Sequence, residues 1–281
     1  MTRIAFHGLG TMGQPMARNL VAAGYEVVGH DLEPDRASAF AGEGGAEIAI
    51  ASLPSAAAVE EVALGLPGRG VEVFVDMSTG PPALARRLAD ELGAAGIASL
   101  DAPVSGGPRG AEAATLSIFV GGDEETFARV EPILQALGSV VAHVGGPGAG
   151  QVVKLCNNLI YAAQMLAVSE ATVMAQDAGV ELTQLYEILT HATGDCVAVR
   201  TRLPAEGVVP DSPASNGWGP GFMTDLMAKD LDLAIDYAAA AGVPLFTAGI
   251  VRQILGATSA AGFGREDFSA MAKVMRTLAA R

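Results

Sequence analysis

The chain has 281 residues, with 17 basic side chains against 31 acidic ones, a formal net charge of −14 and a hydrophobic content of 50%. That length can bury the cores of two domains, and that apolar content excludes a disordered polymer. The acidity argues against nucleic acid and anionic membranes as partners, because both repel a negative surface.

The chain opens on a short apolar strand at residues 3–7, followed at once by Gly8-Leu9-Gly10-Thr11-Met12-Gly13 and a helix over 14–23 that Gly24 ends. A second strand over 25–30 closes on Asp31, eighteen positions after Gly13. Strand, G-x-G-x-x-G, helix and a strand-end acid together predict a dinucleotide site. The first glycine permits the tight turn, the second lets a pyrophosphate approach the backbone, and the third lets helix and strand pack. The helix N-terminus offers N–H groups and partial positive charge to the phosphates. A carboxylate at Asp31 can accept hydrogen bonds from both adenosine ribose hydroxyls and would repel a 2′-phosphate, so NAD is expected over NADP. Arg36 leaves room for NADP, because a nearby arginine can bind the phosphate.

Strands are predicted at 3–7, 26–30, 48–51, 72–76, 99–102, 116–121 and 140–143, and helices at 14–23, 35–41, 56–64, 82–92 and 124–137. This alternation implies an α/β fold, a doubly wound, mostly parallel sheet covered on both faces. The texture changes after the glycine run 145–150. A long apolar helix over 151–177 follows, then helices near 181–191, 224–241, 243–260 and 269–278, with no convincing strand. The expected organisation is a Rossmann-type nucleotide domain over 1–148 and an all-helical domain over 149–281, joined by the long helix. That helix carries Leu155, Leu159, Tyr161, Ala162, Met165, Leu166, Val173 and Met174 and is apolar over more than one stripe. The surplus predicts a homodimer or homotetramer packed through the helical half. Residues 201–221 are rich in Pro, Gly and Ser and are expected to form a long loop that closes a cleft between the domains.

The two cysteines, Cys156 and Cys196, have no metal-type spacing, and the four histidines are scattered, so no metal site is expected. No signal-like segment precedes the first strand, and no uninterrupted apolar run reaches membrane-spanning length. A reduced, cytoplasmic setting fits these features.

Three further clusters could carry chemistry. Asp101-Ala102-Pro103-Val104-Ser105-Gly106-Gly107 ends a predicted strand, where ligands bind in parallel sheets; a hydroxyl and two unobstructed N–H groups suit a carboxylate, as they also suit an ordinary glycine turn. Lys154 and Asn158 share one face of the apolar helix; on spacing alone Lys154 is as well explained by a stem that packs while its head reaches water. Lys229-Asp230, after the Pro/Gly stretch, has the look of a surface charge pair.

Together these segments resemble the β-hydroxyacid dehydrogenase family, most of all its 3-hydroxyisobutyrate dehydrogenases. The resemblance covers essentially the whole chain: the Gly8–Gly13 loop with Met16 and Asn19-Leu20, Leu53-Pro54, Asp76-Met77-Ser78-Thr79, the segment 101–107, the run 148–158, Pro213-Ala214-Ser215-Asn216 and the stretch 221–231. It implies hydride transfer between a short 3-hydroxy acid, or its semialdehyde, and NAD. Lys154 then matches the family's general acid/base and Asn158 the residue that orients the substrate. Ser105, Gly106 and Gly107 match the substrate carboxylate site. Gly8, Leu9, Gly10, Thr11, Met12, Gly13 and Asp31 match the cofactor site, with Leu53 and Pro54 over the adenosine, Thr79 near the nicotinamide ribose, and Phe222 and Lys229 near the nicotinamide and substrate. His7 departs from the family, which usually has an aliphatic residue there; Pro108-Arg109 falls where members differ, and Arg109 could serve a second anionic group or simply face water. Rival readings are a tartronate-semialdehyde-type reductase of the same family, an imine reductase, which usually lacks the lysine, and a non-catalytic dinucleotide-binding protein.

Overall fold

A computed structural model describes residues 2–40, 42, 44–219 and 221–279. The chain divides into two compact units, Met1–Lys154 and Leu155–Arg281.

The first unit is built on an eight-stranded sheet. Strand β1 (Arg3–His7) lies between β2 (Glu26–His30) and β3 (Ile48–Ala51), parallel to both, and β4 (Val73–Asp76) and β5 (Ala98–Asp101) continue the parallel order. A two-residue β6 (Val104–Ser105) and β7 (Leu116–Gly121) add antiparallel pairings, and β8 (Gly138–Gly145) runs parallel to β7. Helices α1 (Gly13–Ala22), α2 (Pro34–Ser38), α3 (Ala56–Leu64), α4 (Pro82–Ala94), α5 (Gly107–Glu112) and α6 (Glu124–Gln135) connect them. Strands read IAIA and VFVD because both faces are covered. One core layer gathers Phe6, Met16, Leu20, Leu100 and Leu116, and the other Ala49, Phe74, Leu88 and Leu92. Side-chain caps set helix starts: Ser55 accepts from the Ala58 N–H at 3.2 Å, and Asp123 from the Thr126 N–H at 2.8 Å. The chain leaves β1 in one direction towards β2 and returns to the other side at β3. That reversal opens the crevice in which such sheets bind ligands, at the C-terminal strand ends.

Helix α7 (Ala149–Asp177) begins in the first unit and continues into the second. There follow α8 (Leu182–Leu189), α9 (Val197–Arg202), α10 (Thr224–Ala240), α11 (Phe246–Thr258) and α12 (Met271–Ala279), with short 3-10 turns at Pro213–Asn216 and Phe268–Ala270. Ala162, Met165, Met227, Leu231, Val251, Leu255, Phe268 and Met271 form its core. Among the described residues of this unit the only β-type pairing is one bridge between Met223 and Asp267.

Several expectations need correction. Helices α5 and α9 were absent from the sequence-based elements; each is six residues long, and α5 reads GPRGAE, too poor in helix formers to announce itself. The eighth strand runs over eight residues rather than four. The stretch 201–221 is no structureless loop: it takes in the end of α9 and a 3-10 turn whose Ser212 side chain accepts from Ser215 N–H, while Asn216 donates to the carbonyls of Pro210 and Ser212. Helix 35–41 is shorter, ending at Ser38; residue 41 lies outside the described residues. Helix α7 is long and apolar enough, by length and composition, to cross a membrane, although polar residues interrupt it and it holds no unbroken apolar run of that length. It nevertheless buries Gln151, Lys154, Asn158, Ser169 and Thr172 as well as Ala162 and Met165, as a protein-packed helix does.

Candidate active site

The glycine loop follows β1 and opens α1. A Cβ at Gly8 would stand 2.3 Å from the Ser52 carbonyl oxygen, and one at Gly13 would stand 1.8 Å from that of Gly8. Packing within the protein therefore accounts for the first and third glycines. A Cβ at Gly10 would meet nothing within 4 Å. Gly10 borders a cavity of ≈ 350 Å³ that is also lined by Leu9, Thr11, Gln14, Pro15, Arg18, Arg36 and the single carboxylate Glu112. A bare backbone, a helix N-terminus and two guanidinium groups fit a dinucleotide pyrophosphate. Asp31 sits beside this loop, its side chain only 10% exposed, and accepts from the Leu9 N–H at 2.7 Å and the Glu33 N–H at 2.9 Å. Burial alone would raise its carboxyl pKa, but these two donors and Arg36 outweigh it and hold the group below its ordinary range. Arg36 is drawn to acids, 3.8 Å from Asp31 and 2.9 Å from Glu33.

The ends of β3, β4 and β5 are tied together by buried polar groups. The Leu53 N–H donates to the Ser78 hydroxyl at 2.9 Å, next to exposed Pro54, and the Ser78 N–H donates to Asp76 at 2.9 Å. Gln151, in the first turn of α7, donates its side-chain amide to the Ser78 carbonyl at 2.8 Å and accepts from the Gly80 N–H at 3.0 Å, so Thr79 lies between the two clamped residues. Asp101 receives the start of α7, accepting from the N–H groups of Gly148 at 2.7 Å and Gln151 at 2.8 Å. Its carboxyl is pushed up by burial, which these backbone donors partly offset. Gly150 is required by this close approach, since a Cβ there would stand 2.3 Å from the Phe119 carbonyl oxygen.

Ser105 lies in β6 opposite Ser117, and Gly106 and Gly107, with φ of 133° and 62°, turn the exposed backbone into α5. Asn19 on α1 holds that helix by donating to the Ala111 carbonyl at 2.7 Å. Arg109 is exposed on α5. Lys154 is 7% exposed and Asn158 1% exposed on α7. In the helical unit, Asn158 donates to Asp230 at 2.7 Å, and Lys229 approaches the other oxygen of that carboxylate at 3.0 Å. The surface-pair reading of Lys229-Asp230 is thus half wrong: Asp230 is 3% exposed. Its place on the wheel of α10 gave the signal, since it lies among Met227, Leu231 and Ala234. Phe222 packs edge-on against Phe268, and its N–H donates to fully buried Asp267 at 2.8 Å, a carboxylate also bound by Arg202 at 3.1 Å. Asp101, Gln151, Asp230 and Asp267 were not among the sequence-based site residues.

His7 and His30 end neighbouring strands and stack with ring centroids 4.6 Å apart. Nε2 of His7 is buried without a hydrogen-bond partner. Burial first, then His30 and Arg69, lower the His7 pKa to about 4.

Residues 3–145 match the family model of the NAD-binding domain of 6-phosphogluconate dehydrogenase. Residues 148–275 match that described as the NAD-binding domain of NADP-dependent 3-hydroxyisobutyrate dehydrogenase. A probable 3-hydroxyisobutyrate dehydrogenase of Mycobacterium tuberculosis is 42% identical, covering 100% of this chain and 99% of its own. The 3-hydroxyisobutyrate dehydrogenase of Pseudomonas aeruginosa is 39% identical over 98% of this chain and 99% of its own. The solved structure of the M. tuberculosis enzyme with L-serine superposes with a TM-score of 0.91 at 40% identity, covering 98% of this chain and 99% of the other. Whole-chain likeness at this level, on top of a Rossmann-type sheet with its glycine loop and a helical second unit, makes the chain a member of the β-hydroxyacid dehydrogenase family, an NAD(P)-dependent oxidoreductase of hydroxy acids.

Proposed function

We propose that this protein interconverts a short 3-hydroxy acid, of the 3-hydroxyisobutyrate kind, and its semialdehyde, with Lys154 as general acid/base and NAD preferred over NADP. The observation that carries the reading is the burial of Lys154 on α7, 7% exposed beside the buried polar side chains of Gln151 and Asn158. A buried ammonium or amine is costly unless it has work to do. The relative solved with L-serine holds a molecule that is itself a 3-hydroxy carboxylate.

The cofactor, when bound, supplies the hydride acceptor at its nicotinamide. Gly8, Leu9, Gly10, Thr11, Met12 and Gly13 would cradle its pyrophosphate, Asp31 its adenosine ribose, Leu53 and Pro54 its adenosine side, and Thr79 its second ribose. The Ser105 hydroxyl and the N–H groups of Gly106 and Gly107 receive the substrate carboxylate. Lys154 holds the hydroxyl oxygen, takes its proton as the carbonyl forms, and returns it in the reverse reaction. Asn158, its amide fixed by Asp230, orients the same oxygen. Phe222 and Lys229 shape the nicotinamide and substrate side. The protein works as a homodimer or homotetramer in the cytoplasm. One apolar stripe of α7, through Cys156, Ile160, Ala167 and Met174, is exposed and supports the assembly.

The test is a panel of short hydroxy acids with NAD and NADP, followed by the absorbance of the reduced cofactor, together with Lys154→Ala. The variant should bind NAD nearly as well as the parent and turn over about a hundredfold more slowly or worse. If it keeps more than about a tenth of the activity, Lys154 is not the acid/base group.

A further inference from the structure

Helix α7 presents one buried polar stripe. Gln151, Lys154 and Asn158 stand at positions i, i+3 and i+7, are 1%, 7% and 1% exposed, and therefore face the same way. Asn158 is held by Asp230. Gln151 grips two backbone atoms of the segment around Thr79, the Ser78 carbonyl at 2.8 Å and the Gly80 N–H at 3.0 Å, and its own N–H is held by Asp101 at 2.8 Å. Glutamine suits this place because one side chain offers a donor and an acceptor side by side. An apolar residue of equal size would leave a buried carbonyl and a buried N–H without partners. The bond from Gln151 to the Ser78 carbonyl connects the strand-end segment to the helix across 73 residues of sequence.

We propose that Gln151 is a positioning residue of the reaction, locking the Thr79 segment to the helical turn that carries Lys154, so that both are set in one frame. The proposal rests on the reading of Lys154 and Thr79 given above. Lys154 follows Gln151 by about 4.5 Å along the helix axis and about 60° around it. A rotation of α7 by about 10° moves a side-chain tip lying roughly 6 Å from the axis by about 1 Å. A displacement of that size at a reacting group can cost about a hundredfold in rate. The clamp restrains that rotation from within the first turn, where the carboxylate of Asp101 also holds the helix.

The experiment compares Gln151→Met and Gln151→Glu with the parent protein, and Gln151→Met in a Lys154→Ala background. Turnover against pH, KM, NADH binding and thermal stability are measured for each. Methionine keeps the length and loses both hydrogen bonds. Its kcat should fall by about tenfold or more, with NADH binding much less affected. In the Lys154→Ala background the same change should cost almost nothing further, since the group being positioned is gone. Glutamate can accept from Gly80 in either form but can donate to the Ser78 carbonyl only when protonated. Its activity should therefore rise towards acid pH and fall as the carboxyl ionises, a limb that neither the parent nor the methionine variant shows. If Gln151→Met fails to fold, this acid rescue decides. Parent-like kcat in the methionine variant, whatever its melting temperature, overturns the proposal. So does an undiminished loss in the Lys154→Ala background, or a glutamate variant with the parent's pH profile. An active Lys154→Ala variant overturns the assignment of Lys154 and this proposal with it, whereas an inactive one beside a parent-like Gln151→Met overturns this proposal alone.

Discussion

Acid should weaken the nucleotide-binding unit through His7, and replacing that residue should remove the effect. His7 ends β1 directly before the glycine loop, stacked on His30, and its buried Nε2 has no partner. Its pKa in the fold is about 4, against an ordinary 6.5. Because the folded value is depressed, the fold favours the neutral ring; the unfolded chain takes up a proton first as the pH drops below 6.5, and stability declines until the folded ring also titrates near 4. At about 1.4 kcal/mol per pH unit, the whole interval is worth about 3 kcal/mol, of which about 2 kcal/mol falls between pH 7 and pH 5. His7→Leu supplies the aliphatic side chain expected of the family and buries no orphaned nitrogen. Urea unfolding followed by circular dichroism at both pH values should show the parent losing about 2 kcal/mol more than the variant on acidification. The residual pH dependence of the variant then includes His30, whose pKa is also lowered by burial and by Arg69. Equal pH dependence in the two proteins would refute the reasoning.

Gly10→Ala should leave the melting temperature of the cofactor-free protein almost unchanged, because its Cβ enters open space, yet weaken NADH binding by about tenfold or more; Gly13→Ala should instead lower the melting temperature, because its Cβ collides with the Gly8 carbonyl. Calorimetry and NADH titration separate the two, and the reverse pattern would contradict the cavity assignment. NAD should exceed NADP in kcat/KM by at least about tenfold, or ~1.4 kcal/mol, and Asp31→Ser should narrow the gap. A parent enzyme that prefers NADP would contradict this and implicate Arg36. Light scattering at micromolar concentration should give at least a dimer, with the exposed stripe of α7 buried between copies; a monomer mass would show that this face stays in water.

The nucleotide loop was legible because its physics is local. Gly8, Gly10 and Gly13 announce a tight turn, a bare backbone and a helix start within a single strand–helix–strand unit. Helix α3 starts where its sequence predicts because Ser55 caps it, and ends at Leu64, before Gly65. The family resemblance likewise lies in short segments that can be read one at a time. What joins those segments is another matter. Asp101 holds the start of α7 across 47 residues, Gln151 reaches Gly80 across 71, and Asn158 reaches Asp230 across 72. In the sequence each has the same appearance as a polar side chain reaching water. Helices α5 and α9 are similarly silent, since six residues of modest propensity take helical form only where the surrounding fold holds them. Local geometry wrote the loop and its helix into the sequence. The partners of buried Asp101, Gln151 and Asp230 were decided by the tertiary structure, because only burial removes the water that would otherwise satisfy them.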